Sequence, residues 1–191
     1  MVGRKNIVFG FLFLVLTAAL GPYMVTQFDA VGEAQAARNA AMSDLRLRVD
    51  GGFMDEATLE TLEAEQIART NAEALLALNT GLNARAPIDT IKSGPHAHGN
   101  LEALLNIAVG VVLVFLAVPV WLKQAVSWLF IVGTLLHSGM LYLLLFDLAW
   151  AGTLLGTGIG PILILLGLLL AGIAAAIGFR GEPVRDPERG G

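Results

Sequence analysis

The chain has 191 residues, of which 55% are hydrophobic and 15% charged, and its mean hydropathy is +0.70. Soluble domains carry about 25% charged residues, so this balance points away from an ordinary soluble globule. The absence of Cys excludes a disulfide scaffold, thiolate zinc sites, iron–sulfur clusters and cysteine catalysis, and a net charge of −4 with no basic cluster leaves no footprint for nucleic-acid binding.

The first element is a charge-free run from Asn6 to Phe28, between Lys5 and Asp29. About 20 apolar residues cross a bilayer core, so residues 1–28 are predicted to form an N-terminal transmembrane helix. The small-x-small site Ala34-Gln35-Ala36 lies too far downstream for signal cleavage, and the run reads as a retained helix.

Residues 29–98 are hydrophilic, with 11 acidic and 6 basic residues between Gln27 and His98. The stretch Ala30–Val49 is rich in Ala, and Asp50-Gly51-Gly52 is a turn signal. From Asp55 to Leu78 the residues are strong helix formers, with an imperfect apolar stripe at Leu59, Leu62, Ile67, Leu75 and Leu78. The expectation is a helical hairpin, followed by a connector over Ile88–His98 with Gly94 and Pro95 as breakers. Its acids lack the spacing and central Gly of a calcium loop, and read as solvated helix faces.

Residues 99–179 are predicted to be a three-helix transmembrane region. The runs are Ala103–Leu122, Gln124–Phe146 and Leu148–Phe179. The last is too long for one straight span. Gly152, Gly156, Gly158, Gly160 and Pro161 break its first third, which predicts a loop to about Gly158 and then a helix with Pro161 in its opening turn. Small residues at Gly167, Ala171 and Ala175 allow close helix approach. Residues 180–191, rich in Gly, Pro and charge, are expected to be a disordered tail. The expected fold is an all-α polytopic membrane protein, with four transmembrane helices and an extracytoplasmic helical hairpin between helices 1 and 2. Arg4, Lys5, Lys123, Arg180, Arg185 and Arg189 then fall on one side, which places both termini in the cytoplasm.

Ionisable groups inside membrane helices are costly and are functional candidates by default. His98, Glu102 and Asn106 recur at i, i+4 and i+8 and share a helix face, which Gly110 continues. His96 stands just before them. On the third helix, His137 is flanked by Thr134, Ser138 and Tyr142. At 1.5 Å per residue, Asn106 lies about 10 Å and His137 about 15 Å below the outer helix ends, so the two can face each other. Imidazole ligates metals and haem iron, which makes His98 and His137 candidate metal ligands and His96, Asn106 and Glu102 candidate cofactor-binding residues. The plain alternatives are surface histidines at a helix start, a Glu102 that complements the helix dipole, and an Asn106 that bonds between helices.

The stretch HAHGNLEALLNIAVGVVL (His96–Leu113) resembles the second helix of small four-helix bacterial membrane proteins, the group of styrene-oxide isomerase and the hydroxylaminobenzene mutases. Members share a helix-start His near the outer surface and an Asn about two turns on, and the mutase branch has a Leu-Glu pair between them. Leu101-Glu102 and Asn106 match that pattern here. The resemblance implies an oligomer, a trimer in particular, in a bacterial inner (plasma) membrane. In the isomerase branch it implies haem b held by the helix-start His, with iron as a Lewis acid. The family His stands six positions before the Asn, where this chain has Asn100; His98 and His96 stand two and four residues earlier. Two residues turn a helix by about 200°, so His98 as ligand requires a first turn that re-aims it.

Three functions remain open on these residues: a haem-binding isomerase-like or redox component, a non-catalytic membrane subunit or assembly factor acting through the hairpin, and a small transporter using Glu102 and His137. Four helices without an inverted repeat speak against the last. The partners expected are the lipid bilayer and further copies of the chain or a membrane complex, with no nucleic acid.

Overall fold

The computed structural model describes residues 1–55 and 58–184, and these are helical, with isolated bridges only at Met54–Thr61 and Leu116–Phe179. In chain order the helices are α1 (Gly3–Ala18), α2 (Leu20–Val25), α3 (Phe28–Asp50), α4 (Ala64–Ile91), α5 (Ala97–Val114), α6 (Val120–Thr134), α7 (Met140–Leu144), α8 (Ala149–Gly156) and α9 (Ile159–Gly178). Single π-helical turns occupy Lys92–His96 and Leu135–Gly139. Four helical stretches are long and apolar enough to cross a membrane: Gly3–Val25, the stretch ending at Val114, Val120–Leu144 and Ile159–Gly178. The chain divides into two compact units, Met1–Pro22 with Ile91–Gly191, and Tyr23–Thr90.

In the first unit the helices meet as two close antiparallel pairs, and small residues set the distance. On α1 the buried residues are Gly3, Asn6, Gly10, Phe13 and Thr17, a repeat of three and four that keeps one face toward α5. A methyl group on Gly10 would stand 2.6 Å from the Ala103 carbonyl oxygen, and one on Gly110 would stand 2.7 Å from that of Gly3. The α6–α9 pair follows the same rule. A methyl on Gly133 would lie 2.7 Å from Ile164 Cγ1, and one on Gly167 3.0 Å from the Phe130 ring. Val109, Leu113, Leu116, Val126, Phe130, Ile164 and Ala174 fill the space between the pairs. The outward faces carry large apolar side chains, among them Phe11, Leu12, Val15, Leu165, Leu169 and Ile173. A bundle with small and polar residues inside and large apolar ones outside is built for a solvent of lipid tails, where helix association comes from packing and hydrogen bonds.

The spans begin and end differently from the sequence expectation. The break between the second and third falls at Phe115–Pro119, not at Lys123. Pro119, with no N–H to lose, opens α6, and Lys123 is carried into its first turns, where it is 2% exposed. The stretch expected as a loop up to Gly158 forms α8, and the break is confined to Gly158, whose φ of +69° suits glycine. Residues 180–184, expected in a disordered tail, are tied down. The Arg180 N–H donates to the Phe115 carbonyl at 2.9 Å and the Val184 N–H to that of Val114 at 2.8 Å. Residues 185–191, with Arg185 and Arg189, lie outside the described residues.

In the second unit, α4 starts at Ala64 and not at Asp55, because the backbone groups of Phe53 and Asp55 pair with those of Leu62 and Glu60. The Asp55 N–H donates to the Glu60 carbonyl and the Leu62 N–H to that of Phe53, both at 2.8 Å, which diverts those groups from a helix. The expected leucine stripe is partly wrong. Leu59 and Leu75 are exposed, Leu75 at 66%. The less exposed face of α4 runs through Ile67, Thr70, Ala74, Ala77, Gly81, Ala84 and Ile88, again at spacings of three and four. On α3 the matching face runs through Val31, Ala34, Arg38, Ala41, Leu45 and Arg48. A methyl on Gly81 would stand 3.4 Å from Arg38 Cδ and 3.8 Å from the Ala34 carbonyl oxygen. The less exposed face of α4 thus carries mostly small residues, together with Ile67 and Ile88. The acids form exposed i, i+4 pairs, Arg48–Asp44, Arg69–Glu73, Arg85–Asp89 and Arg46–Asp50, as solvated helix faces do.

The close pairs make a direct prediction. Gly10→Val should cost about 1–3 kcal/mol through overpacking against α5, whereas Gly172→Ala, with nothing within 4 Å, should be neutral. Thermal unfolding of the two variants in the same detergent checks this; equal melting temperatures would refute the packing argument.

Candidate functional site

Two polar centres lie inside the first unit, and both are assembled by α5. The lower is a carboxamide clasp among α1, α5 and α6. Asn6 and Asn106 are both 0% exposed, so each polar atom needs a partner within the protein. Asn6 Nδ2 donates to Asn106 Oδ1 and to the Ser127 carbonyl, each at 3.1 Å. Asn106 Nδ2 donates to Thr134 Oγ1 at 2.9 Å and to the Glu102 carbonyl at 3.0 Å. The Ser127 hydroxyl donates to Asn6 Oδ1. All four amide hydrogens are used and each amide oxygen accepts one hydrogen bond, so the clasp meets its polar atoms within the protein.

The upper centre is built around Glu102, which is 5% exposed. His98 and Glu102 project from one face of α5 because they are four residues apart. His137 and Ser138 come from the π-helical turn between α6 and α7. An extra residue in the helical ladder shifts the register, and two successive side chains reach one carboxylate. His137 Nδ1 and Glu102 Oε1 share a hydrogen bond of 2.5 Å, and Ser138 Oγ donates to Glu102 Oε2 at 2.7 Å. The His98 ring meets the edge of the His137 ring, with centroids 5.0 Å apart. One ligand atom from each of His98, Glu102 and His137 lies within 4.8 Å of the others. Burial falls from Glu102 through His137 to the exposed His98, so the centre opens in one direction.

The backbone of α9 holds the π-helical turn in place. A methyl group on Gly160 would stand 2.6 Å from the His137 nitrogen and 2.7 Å from the Leu136 carbonyl carbon. Glycine at 160 is therefore required for α9 to lie against that turn.

The sequence-derived site residues divide into three groups. His98, Glu102 and His137 are brought together. Asn106 is one turn away in the clasp and touches Glu102 only through its backbone carbonyl. His96 is turned toward α1, where its Nδ1 lies 3.0 Å from the Thr17 carbonyl oxygen. That oxygen only accepts, so Nδ1 carries the proton in this contact. Thr17 Oγ1 donates to Asn100 Oδ1 at 2.8 Å and completes a latch separate from the His98 cluster. His96 and His98 both follow the bend at Gly94–Pro95 and lie in helical geometry, so the step of two residues, a turn of about 200°, points them to different sides. Tyr142 stands beside the Phe146 ring, with centroids 5.9 Å apart. Sequence reasoning did not assign a role to Asn6, Ser127 or Ser138. The available signal was a polar residue inside a charge-free run, as informative at Asn6 as at Asn106.

Comparison with protein-family models, with curated proteins and with solved structures finds no match.

The clasp is testable by a double-mutant cycle on Asn6→Ala and Asn106→Ala. The expected coupling is about 0.6–1.7 kcal/mol, the range of interhelical hydrogen bonds in membrane proteins. Additive effects on unfolding free energy in micelles would show that the two amides act independently.

Proposed function

We propose that this is a bacterial inner-membrane protein with four spans, a helical hairpin outside and both termini in the cytoplasm, whose function resides at the His98–Glu102–His137 centre. One observation carries the reading: a buried carboxylate is held on both oxygens, by His137 and Ser138, beside an exposed imidazole. Burying such a group is costly, and intramembrane ionisable clusters mark reaction or transport sites. In this reading the centre holds an electrophilic cofactor through imidazole nitrogen and serves an isomerase-like or redox reaction on a molecule that arrives from the membrane. The resemblance of His96–Leu113 to styrene-oxide isomerase and the hydroxylaminobenzene mutases supports that class, and it implies haem b and a homo-oligomer. Among the chain's imidazoles, His98 suits haem best, because it is the exposed one.

Topology supplies the first test. The chain has no Cys, so a single introduced thiol reports its own side of the membrane without background. An impermeant maleimide should label Ser43→Cys in spheroplasts, and Glu182→Cys only after lysis. The reverse pattern would invert the protein. For the cofactor, detergent-purified protein carrying haem b shows a Soret band that His98→Ala removes; its absence in stoichiometrically expressed protein would end the haem assignment.

A second reading, a subunit or assembly factor acting through the hairpin, is favoured by the exposed Leu75, Leu76 and Leu82 on α4. Under that reading, deleting residues 30–78 abolishes co-purification of a partner, whereas His98→Ala and His137→Ala leave it intact.

A further inference from the structure

The donor set itself says what kind of group the centre takes. A haem iron has four positions filled by the porphyrin and offers one axial position on each face, so it uses one imidazole from one side. Here two imidazoles and a carboxylate converge on one point, with a ligand atom from each within 4.8 Å of the others. Donors around a tetrahedral ion at bond lengths of 2.0–2.2 Å stand about 3.3 Å apart, so closure asks for a movement of about 1.5 Å. The exposed His98, in the first turn of α5, is the residue free to make it. Glu102 and His137 stand side by side, with Nδ1 and Oε1 2.5 Å apart across a proton that the ion displaces, and they are oriented by Ser138 and by the π-helical turn that Gly160 admits.

We infer that His98, Glu102 and His137 form a mononuclear site for a bare first-row divalent transition-metal ion. This rests on the reading that the function resides at this centre. Two imidazoles and one carboxylate make a donor set for zinc, iron(II), cobalt or manganese, and with no Cys in the chain a thiolate-dependent ion has no ligand. Three protein ligands leave at least one position open, the arrangement of reactive rather than structural metal sites. The open position faces the exposed side of His98, from which a substrate oxygen or a water reaches the ion. Ser138 is a positioning residue that acts through Glu102. His96, held by Thr17, is not a ligand.

The experiment uses the full chain, stripped of metal and reconstituted in nanodiscs, titrated with Co²⁺ and read by its visible d–d absorption. The expected result is one ion per chain with bands of a four- or five-coordinate nitrogen–oxygen site. His98→Ala, Glu102→Gln and His137→Ala should each weaken binding at least about 100-fold, and Ser138→Ala about 10-fold, the scale of lost outer partners. His96→Ala should bind as the parent does. Glu102→Gln keeps the side-chain shape, and a melting curve equal to the parent's separates lost ligation from lost folding. Failure of the parent to bind Co²⁺, or equal binding by the three ligand variants, overturns the inference. One haem per chain, lost in His98→Ala, with no Co²⁺ site overturns the ion but leaves the centre as the functional one. With neither group bound, and co-purification of a partner unaffected in all three variants, the ion and the centre fall together.

Discussion

A carboxylate inside a helical bundle must be met on both oxygens, and the way Glu102 is met organises this molecule. Its partners come from adjacent positions, His137 and Ser138, which a regular helix would point in different directions. A π-helical turn brings them together, and that turn is tolerated because α9 presents Gly160 to its backbone. One interaction thus reaches through three elements: the face of α5, the irregular turn after α6, and the opening of α9.

The same economy governs the rest of the first unit. Where helices lack a hydrophobic reason to associate, close contact and hydrogen bonds must hold them together. Glycine at positions 3, 10, 110, 133 and 160 brings backbones into contact, and at that distance short polar side chains span from helix to helix. Asn6 and Asn106 reach each other directly. Lys5, at the start of α1, donates to Gln124 of α6 at 2.6 Å and lies 4.1 Å over the Trp128 ring, which ties the third helix to the same pair. The clasp is buried and each of its amides is met by side chains and carbonyls of the bundle, whereas the Glu102 centre is open on its His98 side. Polar groups one helical turn apart on α5 thereby divide into one set that holds the bundle and one available to a ligand.

Charge-free runs of about 20 residues, and the positions of His98, Glu102 and His137 within or beside them, were legible in the sequence because the bilayer imposes length and penalises charge. So was the shared face of His98, Glu102, Asn106 and Gly110, since helical periodicity alone sets it. The separation of His96 from His98 was legible as well, since two residues turn a helix by about 200°; the meeting of His96 with Thr17 was not, because it depends on how α1 lies against α5. Hydrophobicity points Leu75 inward, yet α4 buries its neighbour Ala74 together with Thr70, and Leu75 is exposed. Asn6 is invisible to a criterion of charge, because an amide carries none.

The sequence by itself determined that the chain is helical, that four of its stretches are long and apolar enough for a membrane, and that His137, Asn106 and Glu102 stand at the rare costly positions. Composition and period decide these properties, and both are local. Only the tertiary structure decided that Glu102 belongs with His137 and Ser138, that Asn106 belongs with Asn6, and that His96 faces Thr17. Those pairings depend on helix register and on one irregular turn. A register is a property of two helices together, set where their glycines allow backbones to meet.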